Sequence, residues 1–209
     1  MLHTTQLQFA YPGGQPFSFP DFQCEKGETL LITGKSGSGK TTLLHLLAGI
    51  LQPTGGGVWI DGIDLATLRG SAMDRFRSQQ IGLVYQKPHF VASLSVLDNL
   101  LLPSFFGQKK RSNQQLRHLA DQLGIAHTLS KKPFQLSLGE QQRAGIARAL
   151  VNEPPVLLAD EPTSSLDDEN GHKVFELLQE QALQRGASLI VVTHDNRLKA
   201  VVKRQLQLH

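Results

Sequence analysis

A glycine-rich stretch near the N-terminus contains the residue types that bind a polyphosphate. It follows an apolar, β-prone run at 29–33 and precedes a helical run at 43–48. Glycine lets the backbone pass close to a phosphate, and the loop N–H groups and the positive end of the next helix both face the anion. Lys40 adds a charge for the β- and γ-phosphates, and Thr41 offers a hydroxyl to Mg²⁺. The stretch predicts a nucleotide site formed by Gly34, Lys35, Ser36, Gly37, Ser38, Gly39, Lys40, Thr41 and Thr42.

Two acidic residues stand at the end of a continuous apolar run, where they can serve the same phosphate. The run at 156–159 is typical of a central parallel strand, and Asp160 and Glu161 follow it directly. In a phosphate-loop fold, an acid at the carboxyl end of a neighbouring strand can hold Mg²⁺, and we expect Asp160 to do so. Glu161 lies one residue further and points differently, so it is free to act as a base toward an attacking water.

A third group of residues starts a helix between these two stretches. Ser137 and Glu140 form the Ser-x-x-Glu pattern of a capping box, which by itself predicts only a well-formed helix start. A helix N-terminus with a serine hydroxyl and the backbone of Gly139 is also an anion site. A chain with two such sites, far apart in sequence, could use the second to hold a nucleotide bound by another copy.

The elements that must position these groups alternate between strands and helices. The chain of 209 residues is long enough to bury a core. Residues 2–9 begin an antiparallel β-region ahead of the phosphate loop, and residues 52–57 are predicted to form a turn. The fold class expected is α/β: a P-loop NTPase core with a mostly parallel sheet, the N-terminal antiparallel β-region and an inserted α-helical subdomain. Further strands are predicted at 58–62, 81–85, 156–159, 188–193 and, as an edge strand, 203–208.

The insert is expected over about 87–135, within one ATPase domain that spans residues 1–209. The capping pattern at Ser95 predicts a helix to about Leu102, where Pro103 would stop it. A second helix is predicted at about 112–123.

Composition and charge limit the binding partners and the cellular compartment that the sequence is compatible with. The net charge is only +3, so charge does not argue for a nucleic-acid partner. Cys24 is the single cysteine, which excludes an intrachain disulfide and a cysteine-built metal site. The N-terminus lacks a signal pattern, and no apolar stretch approaches the ~20 residues that a membrane helix needs. We therefore expect a cytoplasmic protein that meets a membrane only through a partner.

Taken together, these motifs resemble those of the ATP-binding-cassette (ABC) ATPases. The resemblance runs from Leu2 to Leu208, with the elements in the family's order. It implies that Tyr11 stacks on adenine, that Gln86 senses Mg²⁺ and the attacking water, and that His194 is the switch histidine that contacts the γ-phosphate. The catalytic residues that it implies are Lys40, Gln86, Glu161 and His194. The Mg²⁺ ligands that it implies are Thr41, Gln86 and Asp160.

The run at 136–142 resembles the family signature, Leu-Ser-Gly-Gly-Gln, with two departures. Glu140 replaces the glutamine, which is a familiar alternative in the family, and Leu138 replaces the first glycine. Leu138 adds bulk where the backbone should approach a phosphate of the other copy, so it would weaken ATP-driven closure of the dimer. Ser137 and Gly139, the donors on which a phosphate would most depend, are retained, and Glu140 would also lie at the nucleotide.

The loop at 164–167 resembles the family loop that crosses the dimer interface, which adds Asp167 to the residues near the nucleotide. Ser165 stands there in place of the usual alanine, a minor change. The resemblance implies two copies head to tail, with each ATP between residues 34–42 of one copy and 137–139 of the other. ATP binding would then drive closure, and hydrolysis would allow opening.

The resemblance further implies an ATPase that energises a separate integral-membrane permease from the inner face of the cell membrane. This permease would dock at the helical insert and the Gln86 loop. The runs at 81–86 and 95–100, followed by Pro103, resemble the branch of lipoprotein-release and macrolide-export ATPases. The ATPase subunit of a small-solute importer is the alternative, although it would often carry a C-terminal regulatory extension. A soluble ABC ATPase of DNA repair or translation is disfavoured because no coiled-coil or zinc insert is present. Cargo and direction of transport stay open.

Overall fold

A parallel sheet forms the centre of the chain in the computed structural model, which describes residues 1–164 and 166–209 and, of Asn196, the backbone alone. Its strands are β4 (Thr29–Gly34), β7 (Ile81–Val84), β8 (Val156–Asp160), β9 (Ser188–Thr193) and β10 (Gln205–Leu208). Their order in the sheet is β10-β4-β9-β8-β7, with every neighbouring pair parallel. The predicted strands at the centre of the sheet and the predicted edge strand are confirmed.

An antiparallel sheet lies beside this centre. Its strands β1 (Leu2–Phe9), β2 (Phe17–Ser18) and β3 (Gln23–Cys24) precede the phosphate loop, as the sequence predicted, whereas β5 (Gly55–Ile60) and β6 (Ile63–Asp64) follow it. The strand order is β2-β1-β5-β6, with β3 paired to β1 as well.

The turn predicted at 52–57 is wrong in its second half, because residues 55–57 already belong to β5. Gly57 lies opposite Thr5 in the ladder, and the register shifts between Thr5 and Gln8. At this irregularity Gly56 has a φ of 68°, and a Cβ there would lie 2.2 Å from the Thr5 carbonyl oxygen. Three successive glycines are typical of a turn, but here they allow β1 and β5 to lie close together.

Helices cover both faces of the parallel sheet. Their bounds are α1 (Lys40–Leu47), α2 (Ser71–Gln80), α3 (Val96–Phe106), α4 (Asn113–Gln122), α5 (Leu138–Leu150), α6 (Asp168–Gln184) and α7 (Asn196–Val201). Residues 87–135 contain α3 and α4, followed by short 3-10 turns at Ala126–Thr128 and Pro133–Gln135, and no strand occurs in this described range. The extent of the insert as a separate subdomain stays a prediction. In the described part of the chain, no helix is long and apolar enough to cross a bilayer.

The predicted stop of α3 at Pro103 is wrong, since the helix continues to Phe106. The Pro103 carbonyl accepts hydrogen bonds from Gly107 N at 2.8 Å and from Asn152 Nδ2 at 2.8 Å. Ser104 Oγ donates to the Leu101 carbonyl at 2.7 Å. The helical bond from Gly107 shows that α3 continues past the proline, and the Asn152 amide bonds this end of α3 to another element, so the local stop signal is overridden.

Apolar side chains on successive residues of the central strands point to opposite faces, and both faces are buried. Leu157 packs with the helical side formed by α3 to α6, whereas Leu158 packs with α1 and the antiparallel sheet. Leu189 and Ile190 divide in the same way. This double burial is the reason that these strands read as continuous apolar runs.

Asn152 joins three elements, and its removal should destabilise the fold. The buried amide donates to the carbonyls of Ser78 at 2.7 Å and Pro103 at 2.8 Å, tying α2 and α3 to the end of α5. We expect Asn152→Ala to lower the free energy of unfolding by about 1–3 kcal/mol, because the Ser78 carbonyl loses its side-chain donor and the Pro103 carbonyl loses one of its two donors. Urea unfolding tests this against Gln114→Ala on the exposed side of α4. Equal stability of the two variants would contradict the assignment.

Candidate active site

A cavity of about 640 Å³ opens at the carboxyl ends of the central strands. Its volume falls in the range of about 300–1,000 Å³ that is usual for ligand sites. The end of β4, the start of α1 and the end of β8 all reach it. The residues that line it are Phe17, Gly34, Lys35, Ser36, Gly37, Gly39, Lys40, Thr41, Thr42, Gln86, Asp160, Glu161 and His194.

The glycines of the phosphate loop are required by its shape. At Gly34 a Cβ would lie 2.4 Å from Ser38 Oγ and 3.0 Å from the Leu208 carbonyl oxygen. Gly37 and Gly39 have φ angles of 83° and 84°, which glycine adopts without strain. Gly39 is the N-cap of α1 and, having no side chain, forms no side-chain cap hydrogen bond. The backbone donors at this helix start are therefore free to face an anion.

Lys40 holds its ammonium group over the loop. Its Nζ donates to the carbonyl of Gly34 at 2.9 Å and to that of Lys35 at 2.9 Å. An ammonium group has three donors, so one N–H is left for a ligand in the cavity. The position suits a positive charge that must meet the outer phosphates of a nucleotide.

Thr41 and Asp160 form an oxygen pair across the cavity. The Thr41 hydroxyl donates to the Asp160 carboxylate, with 3.2 Å between Oγ1 and Oδ2. Burial raises the pKa of Asp160, partly offset by this hydrogen bond. A bound cation would favour the charged carboxylate. Hydroxyl and carboxylate oxygens are ligands that Mg²⁺ prefers, and the ion commonly completes its shell with water and phosphate oxygens.

Glu161 turns away from Asp160 and reaches the end of the neighbouring strand β9. Its Oε2 accepts from Thr193 Oγ1 at 2.8 Å, and its Oε1 lies 3.1 Å from His194 N and 2.6 Å from His194 Nδ1. Its φ of 46° is uncommon for a residue other than glycine. The backbone turn therefore separates the two acids, as their different predicted roles require, and it pairs Glu161 with His194.

Thr193 is a residue of this site that sequence reasoning missed. It is fully buried, donates to Glu161 and accepts from Asp195 N at 2.9 Å. Asp195 in turn accepts from Thr163 Oγ1 at 3.0 Å and from Arg197, whose hydrogen bonds lower the pKa of Asp195 to about 2. This network fixes the turn after β9. A threonine at the end of an apolar strand gives no signal of that role in sequence.

Tyr11 lies at the edge of the site, beside the cavity. Its hydroxyl is 3.2 Å from Thr42 Oγ1, and its ring stands edge-on to Phe9 at 4.7 Å. The residue is 45% exposed, and stacking on adenine stays a prediction. Phe17, which does line the cavity, received no role from the sequence; its ring would lie 2.8 Å from a Cβ at Gly39.

The start of α5 lies apart from this cavity. The capping box predicted at Ser137 and Glu140 is confirmed, with Glu140 N donating to Ser137 Oγ at 3.3 Å. Leu138, at the first helical position, is 64% exposed. Of the described residues, Ser137, Gly139, Glu140 and Asp167 do not line the cavity. Ser165 lies outside the described residues, so the predicted interface loop is seen only in part.

Residues 18–164 match the ABC transporter family. The match covers more than half of the chain, so the chain belongs to this family, and the expected fold class and ATPase activity are confirmed. The phosphate loop, the acid pair and the strand-end histidine lie in one cavity, as ATP hydrolysis by a member of this family requires.

Among named relatives, the chain is similar to the lipoprotein-releasing system ATP-binding protein LolD of Shewanella sp. (strain MR-7). The two are 42% identical over 190 residues, which is 90% of this chain and 82% of that protein. LolD of Shewanella oneidensis is 41% identical over 196 residues, which is 93% of this chain and 85% of that protein.

Solved structures of dimeric cassettes share the fold. The dimeric post-hydrolysis ATP-binding cassette MJ0796, bound to ADP and Pi, is 32% identical with a TM-score of 0.89, and the match covers 100% of this chain and 94% of that chain. A second dimeric structure of MJ0796, described as a bacterial ABC transporter cassette, is 33% identical with a TM-score of 0.88, at the same coverage of 100% and 94%.

Thr193 should affect turnover more than ATP binding. Thr193→Val keeps the shape but removes the hydroxyl that holds Glu161, so we expect kcat to fall about tenfold, the effect of losing one hydrogen bond to a charged group. KM for ATP should change little, and Thr193→Ser should restore turnover. Steady-state ATPase assays measure both constants. A loss in Thr193→Val that Thr193→Ser shares would show that the methyl packing, not the hydroxyl, matters.

Proposed function

We propose that this ABC ATPase energises a separate membrane permease of the lipoprotein-releasing type, from the inner face of the cell membrane. The observation that carries the proposal is the 42% identity to LolD over 90% of the chain. The sequence runs at 81–86 and 95–100 favour the same branch. The named relative belongs to a lipoprotein-releasing system, and we assign that class of cargo to this chain by similarity.

The working form in this proposal is a head-to-tail dimer with ATP in its interface. The cavity supplies Lys40, Thr41 and the backbone of the phosphate loop, but it lacks the signature residues. Ser137 and Leu138 are exposed at the start of α5, where a second surface can reach them. The related cassette MJ0796 has been solved as a dimer, which supports the same pairing here.

The residues of the cavity divide the chemistry of phosphoryl transfer among them. Lys40 and His194 stabilise negative charge on the γ-phosphate, and Glu161 orients and deprotonates the attacking water. Thr41 and Asp160, with Gln86, would hold Mg²⁺, which when bound neutralises charge on the β- and γ-phosphates. Thr193 keeps Glu161 beside His194 at the end of β9.

Glu161→Gln should separate binding from hydrolysis. The amide keeps the size of the side chain but cannot take a proton, so we expect the variant to bind ATP and to accumulate as an ATP-bound dimer. Its ATPase rate should fall by at least about 100-fold, the contribution usual for a general base. Size-exclusion chromatography with ATP and a phosphate-release assay measure the two effects. Hydrolysis at the parental rate would remove Glu161 from the mechanism.

The permease is proposed to dock in a groove of about 540 Å³ beside the active site. Residues of α2, β7, α3 and α5 line it, among them Arg77, Tyr85, Phe106 and Arg148. Tyr85 directly precedes Gln86, and its carbonyl accepts from Gln142 Nε2 of α5 at 3.5 Å. A partner seated here would therefore contact elements that lead to both the cavity and the signature helix.

Phe106 offers a test of this docking site. It is 63% exposed at the end of α3, so Phe106→Ser should leave folding and basal ATPase activity unchanged. In vesicles that also contain the permease, we expect it to lose most of the partner-stimulated activity and the co-purification with the permease. Leu183→Ser, on the exposed side of α6, is the matched control. Full stimulation of Phe106→Ser would place the permease elsewhere.

A further inference from the structure

The start of α5 already carries a negative charge at the place where the proposed dimer would present a phosphate. Glu140 Oε2 accepts from Ser137 N at 2.8 Å and from Ser137 Oγ at 2.8 Å. A serine hydroxyl has a single hydrogen. While that hydrogen is given to Glu140, the hydroxyl cannot donate to a phosphate, so the carboxylate and an incoming phosphate compete for one helix N-terminus.

His127 binds the other oxygen of the same carboxylate. Its Nε2 lies 2.7 Å from Glu140 Oε1. His127 sits in the 3-10 turn Ala126–Thr128, which is fixed by the buried neighbours Ile125 and Thr128. The imidazole is thus held by the fold at the signature helix, although it lies ten residues before Ser137 in sequence.

The charges around this pair decide its electrostatics. The hydrogen bonds from the backbone and hydroxyl of Ser137, and then that from His127, lower the pKa of Glu140 to about 2, so the carboxylate is charged at neutral pH. The positive charge of Lys131 lowers the pKa of Glu140 by a smaller amount. The Arg143 guanidinium lies one turn along α5, with its Nη1 3.5 Å from the point that a Cβ at Gly139 would occupy. An uncompensated carboxylate beside the γ-phosphate would repel it.

We propose that His127 is a positioning residue of the composite ATP site. When protonated, it offsets the charge of the Glu140 carboxylate and weakens its hold on the Ser137 hydroxyl, so that a γ-phosphate bound by the second copy can approach Ser137. This inference rests on the proposed head-to-tail dimer. Protonation gives an imidazole a positive charge as the pH falls. The ATP-dependent dimer should therefore tighten as the pH falls.

A purely structural role for His127 leads to a different expectation. As a simple hydrogen-bond partner of the helix cap, it would affect thermal stability equally with or without ATP. A glutamine side chain in its place can still donate to Glu140 but never carries a charge. His127→Gln therefore removes the charge effect while it keeps a hydrogen-bond donor.

The test is a double-mutant cycle in the hydrolysis-blocked Glu161→Gln protein. Sedimentation velocity gives the dimer dissociation constant with Mg²⁺ and ATP from pH 6 to pH 8. Without further change, we expect this constant to fall at least about threefold from pH 8 to pH 6. His127→Gln should raise it about five- to tenfold at pH 6 and flatten the pH profile. When Glu140→Gln is also present, His127→Gln should have little effect, since no carboxylate charge remains to offset.

The control is His118→Gln, which removes an exposed histidine of α4 and should keep the parental pH profile. An unchanged profile in His127→Gln, or an equal loss with and without the Glu140→Gln substitution, would overturn the role of His127. If the Glu161→Gln protein does not associate with ATP at any pH, the proposed dimer itself fails, and the inference fails with it. The two failures are distinguished by the ATP-dependent association of the Glu161→Gln protein alone.

Discussion

The parallel register of the central sheet is the constraint on which the active site depends. Thr33 lies opposite Thr193, and Asp160 lies opposite Val192, so β4, β8 and β9 end together. A shift of one residue would turn every side chain of a strand to the other face. The phosphate loop, the acid pair and the strand-end histidine meet because backbone hydrogen bonds fix this register, with apolar packing on both faces holding the strands in place.

Much of this arrangement could be predicted from the sequence because its signals are local. The glycine loop, the apolar runs that end in acids and the Ser-x-x-Glu helix start each specify an element and its end. Prediction failed where tertiary contacts decide. Helix α3 continues past Pro103, where the Asn152 amide of another element bonds its last turn, and residues 55–57 pair as a strand because β1 lies beside them.

The same division applies to the candidate site. Lys40, Thr41, Asp160 and Glu161 could be located from motifs, and the structure brings them into one cavity. Thr193 escaped notice because its role depends on a hydrogen bond between segments that are far apart in sequence. The position of His127 beside the signature helix likewise depends on the turn that carries it. Both residues bind carboxylates through contacts that no spacing rule describes.

The residues that line the cavity also show that one chain supplies only half of the proposed composite ATP site. Ser137 and Gly139 belong to a helix start away from the phosphate loop, with their charge balance set by Glu140 and its partners. Because hydrolysis would need both surfaces, ATP binding and dimer closure become a single event. The proposed permease, docked in the groove lined by α2, β7, α3 and α5, would then be moved by ATP-driven dimer closure.

The most direct measurement of this composite site is ATPase complementation between two inactive variants. Lys40→Ala damages the phosphate loop, and Ser137→Arg blocks the signature surface. In a head-to-tail dimer of one copy of each, one ATP site is formed by an intact loop and an intact signature. We expect that mixing the two proteins restores activity that neither shows alone. A mixture whose rate equals the sum of its components would contradict the composite site.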